Sequence, residues 1–167
     1  MKTLLVPIDF SPASHHALRY ACQWGRPYRA RIVVMHVFQP PVSEPYMDYS
    51  LQANLLMQQE ELARERFDQW MEEMPGDIRQ EMQISFRVEM GFPGEEIMRV
   101  SREISPDLIA FGMQGGNPLM KKLMGSTVTS VLQRTEFPVL IVPEACNFEQ
   151  FKHIAYATDY LEDDIRV

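Results

Sequence analysis

The sequence predicts an α/β domain with a parallel sheet covered by helices on both faces. Three observations carry that expectation. Short apolar runs alternate with helical segments along the chain, the order that builds parallel strands joined by crossover helices. The runs ARIVVMHVF (30–38) and PVLIVP (138–143) are almost continuously apolar, as suits strands buried on both faces. The 167 residues, 46% hydrophobic and 23% charged, have the length and composition of one globular domain.

TLLVPI (3–8) is the first strand and ends at Asp9. DFSPAS follows as a helix start: Ser11 is an N-cap residue type, and Pro12 suits the first helical position because its missing N–H would be unpaired there anyway. Ala13, Ala17, Leu18, Ala21, Cys22 and Gly25 then recur at helical spacing. Residues 30–38 are the second strand. QPPVSEPYMD (39–48), with three prolines, reads as loop. A long helix is expected over 49–74, with Leu51, Leu55, Leu62 and Trp70 on its inner face and Glu60 and Arg64 paired at i, i+4 on the wet one. Pro75-Gly76 stops it. ISFRVEM (84–90) is a third strand, and GFPGEEIMRVSREI holds a third predicted helix with Pro93 near its start and Ile97, Val100 and Ile104 inward. DLIAFG (107–112) is a fourth strand, 126–135 a fourth predicted helix, and 138–143 a fifth strand.

Composition bounds the function. The formal charge of -7 repels a long polyanion, so nucleic acid is not an expected partner. No apolar run approaches the roughly 20 residues that span a bilayer, and the N-terminus lacks a signal-sequence pattern; a cytoplasmic, membrane-free protein is expected. Cys22 and Cys146 match no metal-site spacing and read as reduced thiols. His15 and His16 fall early in the first helix and read as a solvated face, His36 as a satisfied core histidine. No convincing catalytic set or metal site emerges.

Ligands of open α/β sheets bind beyond the carboxyl ends of the strands, where strand order reverses. Two segments are candidates for that place: Pro7-Ile8-Asp9, and residues 112–127, GMQGGNPLMKKLMGST, which hold four of the chain's eight glycines. Neither G-x-x-x-x-G-K-[ST] nor a G-x-G-x-x-G after the first strand is present. What is present is Gly112-x2-Gly115-x9-Gly125-Ser126. Glycine permits positive φ and close approach of backbone to a ligand. Ser126 and Thr127 open a helix whose first N–H groups and dipole end suit an anion. Lys121 and Lys122 lie inside the loop, as a charge source or as surface lysines. Met113, Met120 and Met124 nearby read as adaptable packing.

With these residues in place, the chain resembles the universal stress protein family. The resemblance rests on VPIDFSPAS, VVMHV, DLIAFGMQGG and LMGSTVTSVLQRTEFPVLIVP, covers residues 1–143 in order, and includes the family's G-x2-G-x9-G-[ST] motif at 112, 115, 125 and 126. It implies an adenine nucleotide alpha hydrolase-like fold with a five-stranded parallel sheet of order 3-2-1-4-5. It implies ATP, with Mg2+, as ligand. Pro7, Ile8 and Asp9 would border the adenosine, Val37 and Phe111 the adenine pocket, and Gly112, Gly115, Gly125, Ser126 and Thr127 the ribose and phosphates. It also implies pairing through the fifth strand, as a homodimer or between tandem units. One departure stands out: Gly116-Asn117 follows the second motif glycine, where ATP-binding members often carry a basic residue.

FKHIAYATDYLEDD repeats the chain's beginning at an offset of 150, Lys2 matching Lys152, Leu4 Ile154, Asp9 Asp159 and Phe10 Tyr160. Residues 1–145 are therefore expected to form one unit, and 146–167 a linker and the start of a second, as in the family's tandem members. Three functions follow as candidates: a non-enzymatic nucleotide-binding stress-response module, a scaffold of the same fold without nucleotide, and a slow ATPase.

Overall fold

The computed structural model describes residues 2–39, 49–113 and 125–149, with His153 and Ala155. Residues 40–48 of the loop expected over 39–48, the motif residue Gly115, the lysines at 121 and 122, and the repeat matches beyond 149 lie outside the described residues.

The five strands are β1 (Thr3–Ile8), β2 (Arg31–Phe38), β3 (Gln83–Met90), β4 (Leu108–Met113) and β5 (Val139–Pro143). They form one parallel sheet of order β3-β2-β1-β4-β5, the order that the family resemblance implied. The helices are α1 (Pro12–Gly25), α2 (Tyr49–Glu73), α3 (Gly76–Glu81), α4 (Pro93–Ile104) and α5 (Ser126–Leu132). Strand side chains alternate between two cores. Leu4, Val6, Ile8, Ile32 and Val34 pack under α1 and α2 with Leu18, Phe67 and Met74. Leu5, Val33, Met35, Ile109 and Phe111 pack under α4 and α5 with Ile97, Val100 and Val131.

Local chemistry sets the helix ends. The Ser11 hydroxyl caps α1 by accepting from the Ser14 N–H at 3.2 Å, with Pro12 in the first turn. α4 carries Glu95 and Glu96 in its first turn and Arg102 in its last, complementing the helix dipole.

Three expectations change. Leu62 is 49% exposed; the buried face of α2 runs instead through Ala63, Phe67 and Met74, with Trp70 partly buried beside them. Leu51 and Leu55 are side chains outside the description. Glu60 and Arg64 do pair, at 2.7 Å, on the wet face. After Pro75 the chain makes the short helix α3, seating Ile78 in the core, before β3 begins. α5 stops at Leu132, shorter than 126–135, and a turn in which the Thr135 N–H reaches the Val131 carbonyl leads to β5.

The sheet splits at its centre for a reason written in one residue. The Thr3 carbonyl accepts from the Asp107 N–H, so the odd residues of β1 face β4; the Lys2 carbonyl accepts from the Arg31 N–H, so the even ones face β2. Pro7 therefore aims its missing N–H at β4, and proline cannot donate to a ladder. Pairing of β1 with β2 runs on to Ile8↔His36, whereas pairing with β4 ends at Leu5↔Ile109. Beyond that rung β1 and β4 diverge.

Candidate functional site

The split opens a cavity of about 340 Å3 at the carboxyl ends of β1 and β4. Pro7, Ile8 and Asp9 form one wall, Phe111 and Gly112 another, and Gly125, Ser126 and Thr127 a third, with Val37 reaching in from β2. Nine of the ten residues singled out in the sequence thus surround one space, and Gly115 is the one outside the description.

Several lining residues were not anticipated. Met35 shares the face of Val37, two residues away; strand alternation is the signal that could have named it. Ser11, Ala13 and Ser14 belong to the cap of α1, and Pro93 and Ile97 to α4. Only the fold brings these helix starts to the strand ends. Met113 and Val128 complete the lining. The base of the cavity is apolar, while its rim carries hydroxyls and one carboxylate; Asp9 is the only charged side chain among the described lining residues.

Asp9 sits at the rim in a small web of hydrogen bonds. Its Oδ1 accepts from the Ser11 N–H at 3.0 Å, and its own N–H reaches the Ser14 hydroxyl at 3.4 Å. The Ser14 hydroxyl donates to the Ser11 carbonyl at 3.0 Å. Partial burial pushes the Asp9 carboxyl upward, but the bonds from Ser11, Ser14 and the local backbone outweigh it and hold the group below the ordinary aspartate value. It is a carboxylate at neutral pH, able to accept from hydroxyl or amino donors.

The two glycines differ. A Cβ on Gly112 would overlap the carbonyl oxygen and carbon of Ala13 and stand 2.8 Å from the Ser14 nitrogen. β4 and the first turn of α1 touch backbone to backbone there, so the fold itself requires glycine. A Cβ on Gly125 would meet nothing within 4 Å among the described residues, and its φ of -53° is open to any residue. Positive φ, expected at these positions, occurs at neither; among the described glycines it belongs to Gly91.

His15 and His16 are not where the pattern put them. His15 stacks on Trp70, ring centroids 4.5 Å apart, with its Nε2 buried and unpartnered among the described residues. His16 Nε2–H donates to the Cys146 carbonyl at 2.6 Å. Neither forms a solvated face, because α2 and the segment after β5 cover that side of α1. His36 is satisfied, its Nδ1 bonded to the Ile8 carbonyl at 3.0 Å. Among the described residues no cluster of three metal-ligating side chains occurs, and no helix is long and apolar enough to cross a membrane.

Comparison with known proteins adds the last observations. The sequence profile of the Universal stress protein family matches residues 1–143. Universal stress protein MJ0577 of Methanocaldococcus jannaschii is 27% identical over 152 residues, 84% of this chain and 94% of its own length. Its solved structure superposes with a TM-score of 0.67 at 23% identity, over 85% of this chain and 95% of that one. A universal stress protein of Mycolicibacterium smegmatis is 29% identical over 143 residues, 83% of this chain but 47% of its own length. A universal stress protein of Archaeoglobus fulgidus, solved in complex with dAMP, shares the fold at a TM-score of 0.56 and 16% identity, over 84% of this chain and 97% of that one.

Proposed function

The chain belongs to the universal stress protein family, and we propose on that premise that it is a non-enzymatic, cytoplasmic nucleotide-binding module of a stress response, with ATP as its ligand. The observation that carries the reading is Gly125. It lies in a cavity wall, no described protein atom needs it to be glycine, and it precedes the first-turn N–H groups of α5, which have no intrahelical partner. A ligand is what would require the room.

The cavity suits an adenine nucleotide in its parts. Met35, Val37, Ile97 and Phe111 offer an apolar slot for a base, with few polar groups to fix its orientation. The Asp9 carboxylate is an acceptor for ribose hydroxyls or the adenine amino group. Ser126 and Thr127 bring hydroxyls and first-turn N–H groups toward phosphates. Asp9 and phosphate oxygens are also the hard oxygen donors that Mg2+ takes. The dAMP complex of the Archaeoglobus relative supports the ligand class. Chain pairing through the outer edge of β5, and residues 146–167 as linker and start of a second unit, belong to the same proposal; the Mycolicibacterium relative is long enough to hold a second unit.

Native mass spectrometry of the purified chain, with a denaturing extract assayed for adenine nucleotides, tests it. The expected result is an ATP-sized adduct that Gly125→Val abolishes. No adduct, and no thermal shift with added ATP and Mg2+, would turn the reading to a scaffold of this fold. Phosphate release that Asp9→Ala abolishes while binding persists would turn it to a slow ATPase.

A further inference from the structure

Between Asp9 and Ser11, both in the cavity wall, stands a residue that is not. Phe10 has φ of 60°, in the left-handed region that bulky side chains rarely occupy. Its ring lies on the other side of the sheet, 9% exposed, in the core under α1 and α2. There its centroid is 4.7 Å from the His36 ring, 5.1 Å from Trp70 and 6.4 Å from Phe86. The guanidinium carbon of Arg66 stands 4.4 Å from the same centroid. His36 is itself pinned to the Ile8 carbonyl, two residues before Phe10.

These facts are coupled. An isolated phenylalanine would relax to negative φ, and a residue persists in a sparsely populated region only when its surroundings over-determine it. Here the surroundings are the aromatic seat. Relaxing φ turns the Asp9 peptide relative to Ser11 and breaks the 3.0 Å bond from the Ser11 N–H to the Asp9 carboxylate. We infer that Phe10 is a positioning residue for the cavity: its ring, seated against His36, Phe86 and Trp70 of α2, holds the turn that presents Asp9 and the Ser11 cap to a ligand. α2, on the far face of the sheet, is thereby tied to a site that none of its described residues lines.

The affinity arm of the test rests on the nucleotide reading; a second arm does not. Phe10→Ala and Phe10→Gly remove the same ring, but glycine occupies positive φ at no steric cost whereas alanine does not. ATP affinity with Mg2+ is measured by calorimetry on variants shown to be folded by circular dichroism. Phe10→Ala is expected to bind roughly tenfold more weakly than wild type, the fold-change that about 1.4 kcal/mol of left-handed strain converts to. Phe10→Gly falls between. A ring that merely fills the core would leave both folded variants at wild-type affinity.

The ligand-free arm follows the Asp9 carboxyl by NMR titration. It is expected to move up toward the ordinary aspartate value in Phe10→Ala as the Ser11 bond is lost. If both variants fail to fold, Phe10→Leu, which keeps an apolar side chain in the seat, is expected to show the same shifts at smaller size. A folded Phe10→Ala or Phe10→Leu with wild-type titration and wild-type affinity overturns the inference. A wild-type chain that binds no ATP, with a shifted Asp9 titration in the variant, overturns the nucleotide reading and leaves the positioning role standing.

Discussion

Alanine at residue 112 and alanine at residue 125 are chemically the same change in the same motif, and the structure gives them opposite consequences. At Gly112 the new Cβ lands on the backbone carbonyl of Ala13. Backbone has no alternative rotamer, so β4 and the first turn of α1 must separate. Forcing an extra carbon into a packed interior costs about 1–3 kcal/mol and occasionally more, and a backbone clash belongs at the upper end. For a chain of this size, about 3 kcal/mol lowers the melting temperature by roughly 6–12 °C. At Gly125 the Cβ meets nothing described and the backbone is already compatible with alanine. Loss of a preferred cap residue and gain from a stiffer unfolded chain each amount to about 0.5–1 kcal/mol with opposite signs, so the melting temperature stays within a few degrees. With ATP the order reverses. Gly125→Ala abolishes most of the ligand-induced thermal shift, because the methyl group takes the ligand's room. Scanning calorimetry with and without ATP and Mg2+ measures both halves. A Gly125→Ala chain as unstable as Gly112→Ala, or one that keeps the full ligand shift, would refute the division of roles.

Other outcomes follow from the same structure. Burial holds the His15 and His36 imidazoles below the ordinary histidine value of 6.5, so the native chain keeps them neutral while the unfolded chain takes up protons first. Their contribution to stability is whole above that value and is lost as pH falls through their folded values; the urea midpoint should drop between about pH 7.5 and about pH 5.5, and His36→Gln should flatten the drop. Burial pushes the Cys22 thiol up to about 12, whereas Cys146 is only half-buried. A thiol reagent should titrate one cysteine in the native protein and both in denaturant, and rapid labelling of Cys22 would contradict its burial. Light scattering at rising concentration should show a dimer through the β5 edge, and a monomer throughout would end that proposal.

β1 and β2 were legible because strands buried on both faces leave nearly unbroken apolar runs, and the start of α1 was legible because Ser11 and Pro12 each have one dominant use there. The inner face of α2 was not. Leucines at 51, 55 and 62 offered one stripe and Ala63, Phe67 and Met74 another, and only the position of β3 and Phe10 decides between them. α3 was hidden behind Pro75-Gly76, which ended one helix without announcing the next. The strand-end part of the candidate site could be read from the motif, but Ser14, Pro93 and Ile97 enter it through packing of α1 and α4. The motif itself misled on mechanism: Gly112 suggested positive φ and close approach to a ligand, and its reason is contact with Ala13.

The family resemblance ends at residue 143; the packing does not. After Pro143 the chain turns back over α1, where Cys146 and Phe148 cover Ala17, Tyr20 and Val142, with the Phe148 and Tyr20 rings 5.2 Å apart. The packed segment therefore reaches past the alignable one. A domain excised at 143 would carry an uncovered apolar seam on α1, the helix whose cap lines the cavity, and the seam would show as lower solubility and earlier protease nicking. A cut after Glu149 leaves that seam closed.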